Sequence, residues 1–233
     1  MDFISGEILS FDKPYGWTSF DIVGKVRWLI CKTLGIKKLK VGHAGTLDPL
    51  ATGVVIICTG RATKQIEELQ SHTKEYVATL QLGATTPSFD LEHPIDKTFP
   101  TAHISERQIN DVLKRFEGEI EQVPPVYSAV KVNGKRAYNY ARQGTELELR
   151  PKKIRIEQIE ILSFNSENMQ LRLRIVCSKG TYIRSLARDI GQALDSGAHL
   201  TELRRTRIGD YKVEHSLTIE QFELLLQNEV SAQ

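Results

Sequence analysis

The stretch GVVIICTG at positions 53–60 constrains the fold more than any other part of the chain. A short, β-branched apolar run bounded by glycines is the pattern of a buried strand. This strand leaves directly from a loop of unusual composition. The fifteen residues VGHAGTLDPLATGVV hold three glycines, one histidine, His43, and one carboxylate, Asp48. Glycines at this density let the backbone reach positive φ and let a ligand approach closely. The segment therefore reads as a rigid strand presenting a glycine-rich loop, with Asp48 as its one ionisable oxygen.

The rest of the chain supplies both helices and further strands. TSFDIVGKVRWLICKTLG carries a Thr18/Asp21 capping pattern, apolar residues at helical spacing from Ile22 to Ile30, and Gly35 as a stop. ISERQINDVLKRFEGE begins at a Ser105 N-cap with Gln108 three residues on, and spaces Ile109, Val112, Leu113 and Phe116 on one face. EYVATLQLG, IRIEQIEIL and MQLRLRIVC read as strands, the last alternating Leu171, Leu173, Ile175 and Cys177 with Arg172 and Arg174. TYIRSLARDIGQAL and LTIEQFELLL return to the helical period, and VPPVYSAVKVNGKRAYNYARQG is a proline-marked basic stretch ending in a short helix-like piece. Strands do not alternate regularly with helices, which predicts an α+β fold with a mixed, largely antiparallel sheet.

Charge and cysteine content narrow the functional classes. The net charge is only +2, but residues 1–64, 131–155 and 172–207 carry +4, +6 and +5, leaving the remainder acidic. Three basic segments that converge would make the footprint of a phosphate-backbone binder; scattered, they are ordinary solvated faces. Three widely separated cysteines without a CxxC pair suggest neither a disulfide framework nor a zinc cluster, and fit a reducing cytoplasm. No eighteen-residue apolar run and no signal-like N-terminus is present, so no membrane association is expected.

The Asp48 loop matches no common cofactor motif. It lacks a Gly-Lys-Ser/Thr ending, and its strand follows the glycines, whereas a dinucleotide fingerprint needs the strand first. Metal ligation by His43 and Asp48 would need further ligands, and the other histidines show no HxxxH or HxH spacing. Two readings remain: a carboxylate acting as nucleophile or general base, or an aspartate that only makes a turn before Pro49. A carboxylate working in a partly closed site needs a cation nearby to stay ionised, and Arg61, Lys131 and Arg184 are the candidates. Arg184 follows the Gly180 turn in SKGTYIR; taken by itself it reads as an ordinary surface arginine in the first turn of a helix. Tyr76 and Tyr182 lie beside basic residues, as stacking platforms for an extruded base do, although each alone reads as a core or interface tyrosine.

These motifs resemble the TruB family of tRNA pseudouridine synthases. GHAGTLDPLATGVV is similar to the signature around that family's catalytic aspartate, and the likeness continues through KPYGWTS, GRATK, KEYVATLQLG, VPPVYSAVKVNGKRAYNYARQG, CSKGTYIRSLARDIG and GAHLTELRRTRIGDY, in family order across nearly the whole chain. The resemblance implies a pseudouridine synthase catalytic fold with a bent sheet flanked by helices. It implies one catalytic domain over 1–233, with an RNA-contacting insertion at about 120–150. Family members usually continue into a small C-terminal RNA-binding PUA domain, and as a departure from that pattern no complete PUA domain is expected here.

By the same resemblance Asp48 is the nucleophile and Arg184 the arginine that pairs with it. Tyr76 stacks on the flipped uracil, Tyr182 and Leu203 line its pocket, and His43 lies against the RNA near the vacated base position. Lys131 falls in the family's YSAxKxxG pattern. The implied reaction converts a uridine of the tRNA T-loop, U55, to pseudouridine without cofactor or metal, in a cytoplasmic monomer with no protein partner. A binding-only reading, as a tRNA-folding module, and an rRNA substrate are the alternatives. GATTPSFDLEHP keeps Thr85, Thr86 and Asp90 of a family motif but lacks its final glycine.

Overall fold

In a computed structural model of the chain, residues 1–128, 131–132, 135–137, 140, 147 and 149–231 are described. In chain order the strands are β1 (Ile8–Lys13), β2 (Val41–His43), β3 (Thr52–Thr59), β4 (Lys74–Leu82), β5 (Ala84–Thr85), β6 (Lys97–Thr98), β7 (Gly118–Gln122), β8 (Lys131–Val132), β9 (Lys135–Arg136), β10 (Lys152–Asn165), β11 (Gln170–Cys177), β12 (Ala198–Ile208) and β13 (Tyr211–Lys212). The α-helices among the described residues are α1 (Ser19–Leu34), α2 (Ile66–Ser71), α3 (Glu106–Leu113), α4 (Ile183–Ala193) and α5 (Ile219–Ser231). The fold is α+β, as expected. The helix-like piece anticipated in the basic stretch falls largely on 138–146, outside the described residues except for Tyr140.

The chain divides into two compact units, Met1–Glu75 with Arg204–Gln233, and Tyr76–Leu203. In the first, β3 is the central strand. It pairs antiparallel with β1 from Ile8↔Cys58 to Lys13↔Gly53 and with β2 from Val41↔Thr59 to His43↔Ile57. The 204–208 part of β12 joins it in parallel, Arg204 facing Thr52 and Arg205 facing Gly53. Seven consecutive residues of β3 are buried, which is why its sequence is continuously apolar instead of alternating. One core cluster contains Ala44, Val54, Ile56, Cys58, Ala62, Leu69 and Ile208. Elsewhere in the unit, Phe222 of α5 meets Phe11 and Phe3 edge-on, at ring-centroid distances of 5.2 and 6.1 Å. Helix α1 begins at the expected Thr18/Asp21 capping box, ends at Gly35 in the left-handed region, and buries Ile22, Val23, Val26, Leu29 and Ile30.

Gly53 is required where it stands. Its φ is +108°, and a Cβ built on it would lie 2.1 Å from the Arg205 carbonyl oxygen of the parallel neighbour. Both the backbone conformation and the strand spacing exclude a side chain. Gly53→Ala is expected to lower unfolding free energy by about 3 kcal/mol or more, read from urea unfolding of both proteins.

The second unit is built on strands in the order β12, β4, β11, β10, β7. β10 pairs antiparallel with β11 and with β7, and register shifts at Ile156/Gln158 and Ile161/Ser163 mark bulges, which bend a long strand. Helix α3 starts at the Ser105/Gln108 capping box and buries Ile109, Val112 and Leu113; Phe116 falls in a following 3₁₀ turn and is half-buried. Helix α4 follows β11 after a turn at Gly180, whose φ is +83°. The segment AHLTELRRTRI, whose charges hide its strand character, is β12.

Candidate active site

The peptide on each side of Asp48 is pinned by the KPYGWTS segment. Ser19, buried at the start of α1, accepts a hydrogen bond from the Leu47 N–H at 2.8 Å and returns its hydroxyl to the Leu47 carbonyl at 3.3 Å. The Pro49 carbonyl accepts from Gly16 N–H at 2.9 Å and from Lys13 Nζ at 3.2 Å. Between these anchors the Asp48 carbonyl closes a turn with Ala51 N–H at 3.1 Å, so the turn is made by the backbone. The half-buried carboxylate of Asp48 is therefore carried on a chain fixed immediately before and after it.

Two buried cations, neither of them anticipated, support this loop. Arg205 is 1% exposed and donates from Nε to the Val54 carbonyl at 2.8 Å, from Nη1 to Thr46 at 3.2 Å and from Nη2 to Gly45 at 3.2 Å. It ties the loop ahead of Asp48 to the strand after it. Lys13 is fully buried and gives all three ammonium donors to carbonyls: Pro14 at 2.9 Å, Trp17 at 2.6 Å and Pro49 at 3.2 Å. Arg61, a candidate cation by sequence, is exposed instead.

Loss of water pushes the Lys13 ammonium from 10.5 down to about 8, while attraction to the Asp48 carboxylate opposes the fall and the Arg205 charge adds to it. Between about pH 8 and about pH 10.5 the unfolded chain holds a proton on Lys13 that the folded chain has released, so stability rises with pH there. Below about pH 8 the cost of burying the charge is present in full. Lys13→Met is expected to remove this alkaline rise, seen as a flatter profile of urea-unfolding free energy between pH 7 and pH 10. His43, at the end of β2, is held below the usual histidine range first by burial and further by the Arg205 charge, with the Gly45 backbone opposing. It is neutral at physiological pH.

In the second unit, Tyr76 lies on the buried face of β4 with Ala78 and Leu80. Leu203 lies half-buried on β12 and Tyr182 half-buried at the N-cap of α4. Arg184 is 4% exposed, which overturns its reading as a surface arginine. Its Nη2 donates to the Tyr127 carbonyl at 2.9 Å, its Nη1 to Ser88 at 3.3 Å, and its Nε lies 3.7 Å from Asp90 Oδ2. Asp90 is 7% exposed and itself tethered: its Oδ1 accepts from Glu92 N–H, and its carbonyl accepts from the Thr86 hydroxyl. The left-handed residue of this loop is Phe89, with φ +63°, stacked under Arg188 at 5.0 Å; no glycine is needed at 91–93. Lys131 is on β8, its backbone paired with Arg136; its side chain lies outside the described residues.

A model described as TruB family pseudouridylate synthase, N-terminal domain, matches residues 32–183, and one described as tRNA pseudouridylate synthase B C-terminal domain matches residues 184–232. The chain belongs to the TruB family. Among curated TruB family relatives, tRNA pseudouridine synthase B of Phocaeicola vulgatus is 62% identical over 99% of this chain and 97% of its own length. That of Bacteroides thetaiotaomicron is 62% identical over 96% and 94%. A chain from a crystallised Cbf5-Nop10-Gar1 complex superposes with TM-score 0.71 at 33% identity, covering 97% of this TruB family chain. A chain from an H/ACA RNP bound to a substrate RNA containing 2′-deoxyuridine superposes with TM-score 0.67 at 30% identity. This chain spans 57% and 56% of the length of those two. Among the described residues no helix is long and apolar enough to cross a membrane, and no group of metal-ligating side chains is present.

Proposed function

We propose that this TruB family enzyme isomerises a uridine of the tRNA T-loop, U55, to pseudouridine, with Asp48 as nucleophile. The observation that carries the mechanism is the fixed backbone on both sides of Asp48, because a nucleophile gains most when its approach geometry is set in advance. The 62% identity with tRNA pseudouridine synthase B relatives supports the reaction and the substrate.

The reaction breaks the C1′–N1 bond, turns the uracil and forms a C1′–C5 bond. It then moves the C5 proton off the ring while N1 gains one, so no co-reactant is consumed. A uridine inside a folded tRNA loop has to leave its stack to be reached. Tyr76 is assigned to stack on the extruded ring, Tyr182 and Leu203 to bound its pocket, and His43, neutral at physiological pH, to lie against the RNA where the base was. Arg184 is assigned as the cation that faces the reacting carboxylate. Lys131 and the basic residues of 131–155 are assigned to phosphates, and the active species is taken to be a monomer. Pseudouridine scored by mass spectrometry in an unmodified tRNA transcript tests the proposal. Product at U55 is expected; a folded protein that yields none, or modifies only rRNA fragments, would overturn it.

A further inference from the structure

Gln122 and Tyr182 are sixty residues apart in sequence, yet the Gln122 side chain meets the Tyr182 backbone as a neighbouring strand would. Gln122 Oε1 accepts from the Tyr182 N–H at 2.8 Å, and Gln122 Nε2 donates to the Tyr182 carbonyl at 3.1 Å. Gln122 ends β7 and is 1% exposed, so this amide has no water to fall back on. Tyr182 is the extended N-cap of α4, at φ −101° and ψ 108°, and makes no side-chain cap of its own. Its carbonyl also accepts the first helical bond, from Leu186 N–H at 3.0 Å. One planar amide thus fixes the peptide groups on both sides of the Tyr182 Cα, and with them the direction in which its ring leaves and the azimuth at which α4 starts.

The same seam continues along the helix. Ser185 Oγ donates to the Val123 carbonyl at 2.8 Å, Arg188 Nη2 to the same carbonyl at 3.2 Å, and Arg184 Nη2 to Tyr127 at 2.9 Å. The segment 122–127 is therefore stitched to the turn of helix that holds both Tyr182 and Arg184. Gln122 grips the backbone of Tyr182, whereas Val123 and Tyr127 are gripped through their own carbonyls.

We propose that Gln122 is a positioning residue for the uracil site: its amide sets the Tyr182 backbone so that the Tyr182 ring and the Arg184 guanidinium present to the base in register. The inference rests on the roles assigned to those two residues above. It predicts a loss in the chemical step instead of in tRNA capture, because a misplacement of about 1 Å in a reacting constellation costs on the order of a hundredfold in rate.

Gln122→Glu provides a test that a purely structural role would not pass. Protonated, a glutamic acid reproduces both bonds, its hydroxyl donating to the Tyr182 carbonyl and its carbonyl accepting from the N–H. Ionised, it accepts from the N–H and repels the carbonyl. Burial raises a carboxylic acid's pKa, which brings the transition into the working range. Single-turnover pseudouridine formation on a tRNA transcript is measured between about pH 5.5 and about pH 8.5, with tRNA Kd and melting temperature taken at both ends.

The expected result for Gln122→Glu is a rate within about threefold of the unaltered protein at the acid end, falling to about a hundredfold below it at the alkaline end. Kd changes little between the two; the melting temperature falls as the buried acid ionises, with the protein still folded at the assay temperature. Gln122→Met, which removes both bonds without adding charge, is expected to show the hundredfold loss at every pH. Gln122→Met keeping the unaltered rate would overturn the inference. So would a Gln122→Glu loss that tracks Kd, or one that sets in only where the protein unfolds at the assay temperature. The unaltered protein assayed in parallel reports on the proposed function itself, so failure of that reading shows there and failure of this one only in the variants.

Discussion

Asp48→Asn is expected to reduce pseudouridine formation by at least about 10⁴-fold, the scale of removing an essential catalytic side chain. The substitution keeps the size and shape of the side chain. The ties that hold the loop run through the Leu47 and Pro49 backbones to Ser19, Gly16 and Lys13, and remain in place. Binding of tRNA is therefore expected to stay within about threefold, because affinity for RNA is dominated by phosphate contacts. Single-turnover assays with saturating enzyme, together with filter-binding titrations, measure both quantities. Turnover near that of the unaltered protein would remove Asp48 from the nucleophile's place. A second effect accompanies the first. The Asp48 carboxylate holds the Lys13 ammonium up against the effect of burial, so in Asp48→Asn the alkaline rise in stability is expected to begin below pH 8.

The next largest effect is expected at Arg184. Its guanidinium spans two backbone carbonyls and the Asp90 carboxylate from a position 4% exposed. Arg184→Met leaves Asp90 buried without that cation, and breaking a buried pair by removing one partner costs about 3–5 kcal/mol. Turnover is expected to fall about 10³-fold, as it does when a preorganised charge is withdrawn from a reacting centre. The double variant Arg184→Met/Asp90→Asn separates the two losses. It removes the uncompensated carboxylate, so most of the stability is expected to return in urea unfolding while turnover stays low. Recovery of turnover along with stability would make Arg184 a structural residue only.

Much of the fold was legible in local pattern. The buried run of β3, the capping boxes of α1 and α3, and the alternation in β11 each depend on residues within a turn or two of one another, and each appears where it was expected. β12 was missed because its sequence carries three arginines in four residues. A pattern of polarity reads those as solvent-facing, whereas Arg204 pairs with Asp12 at 2.6 Å and Arg205 is buried against carbonyls of β3 and the Asp48 loop. The surface reading of Arg184 failed for the same reason. An arginine is exposed on average, and its burial here depends on acceptors at residues 88, 90 and 127.

The sequence by itself determined the family, the glycine-rich loop, Asp48 within it, and the strand that carries it, because these are encoded by neighbouring residues and their spacing. Only the tertiary structure decided which polar side chains hold the loop and the start of α4. Ser19, Lys13, Arg205 and Gln122 act on backbone groups 28, 36, 151 to 160 and 60 residues away. Their hydrogen bonds form with carbonyls and N–H groups that every residue possesses, so no residue type at the far end announces them. A backbone acceptor has no signature in a sequence; it becomes a partner only when folding removes water from it and leaves one side chain in reach.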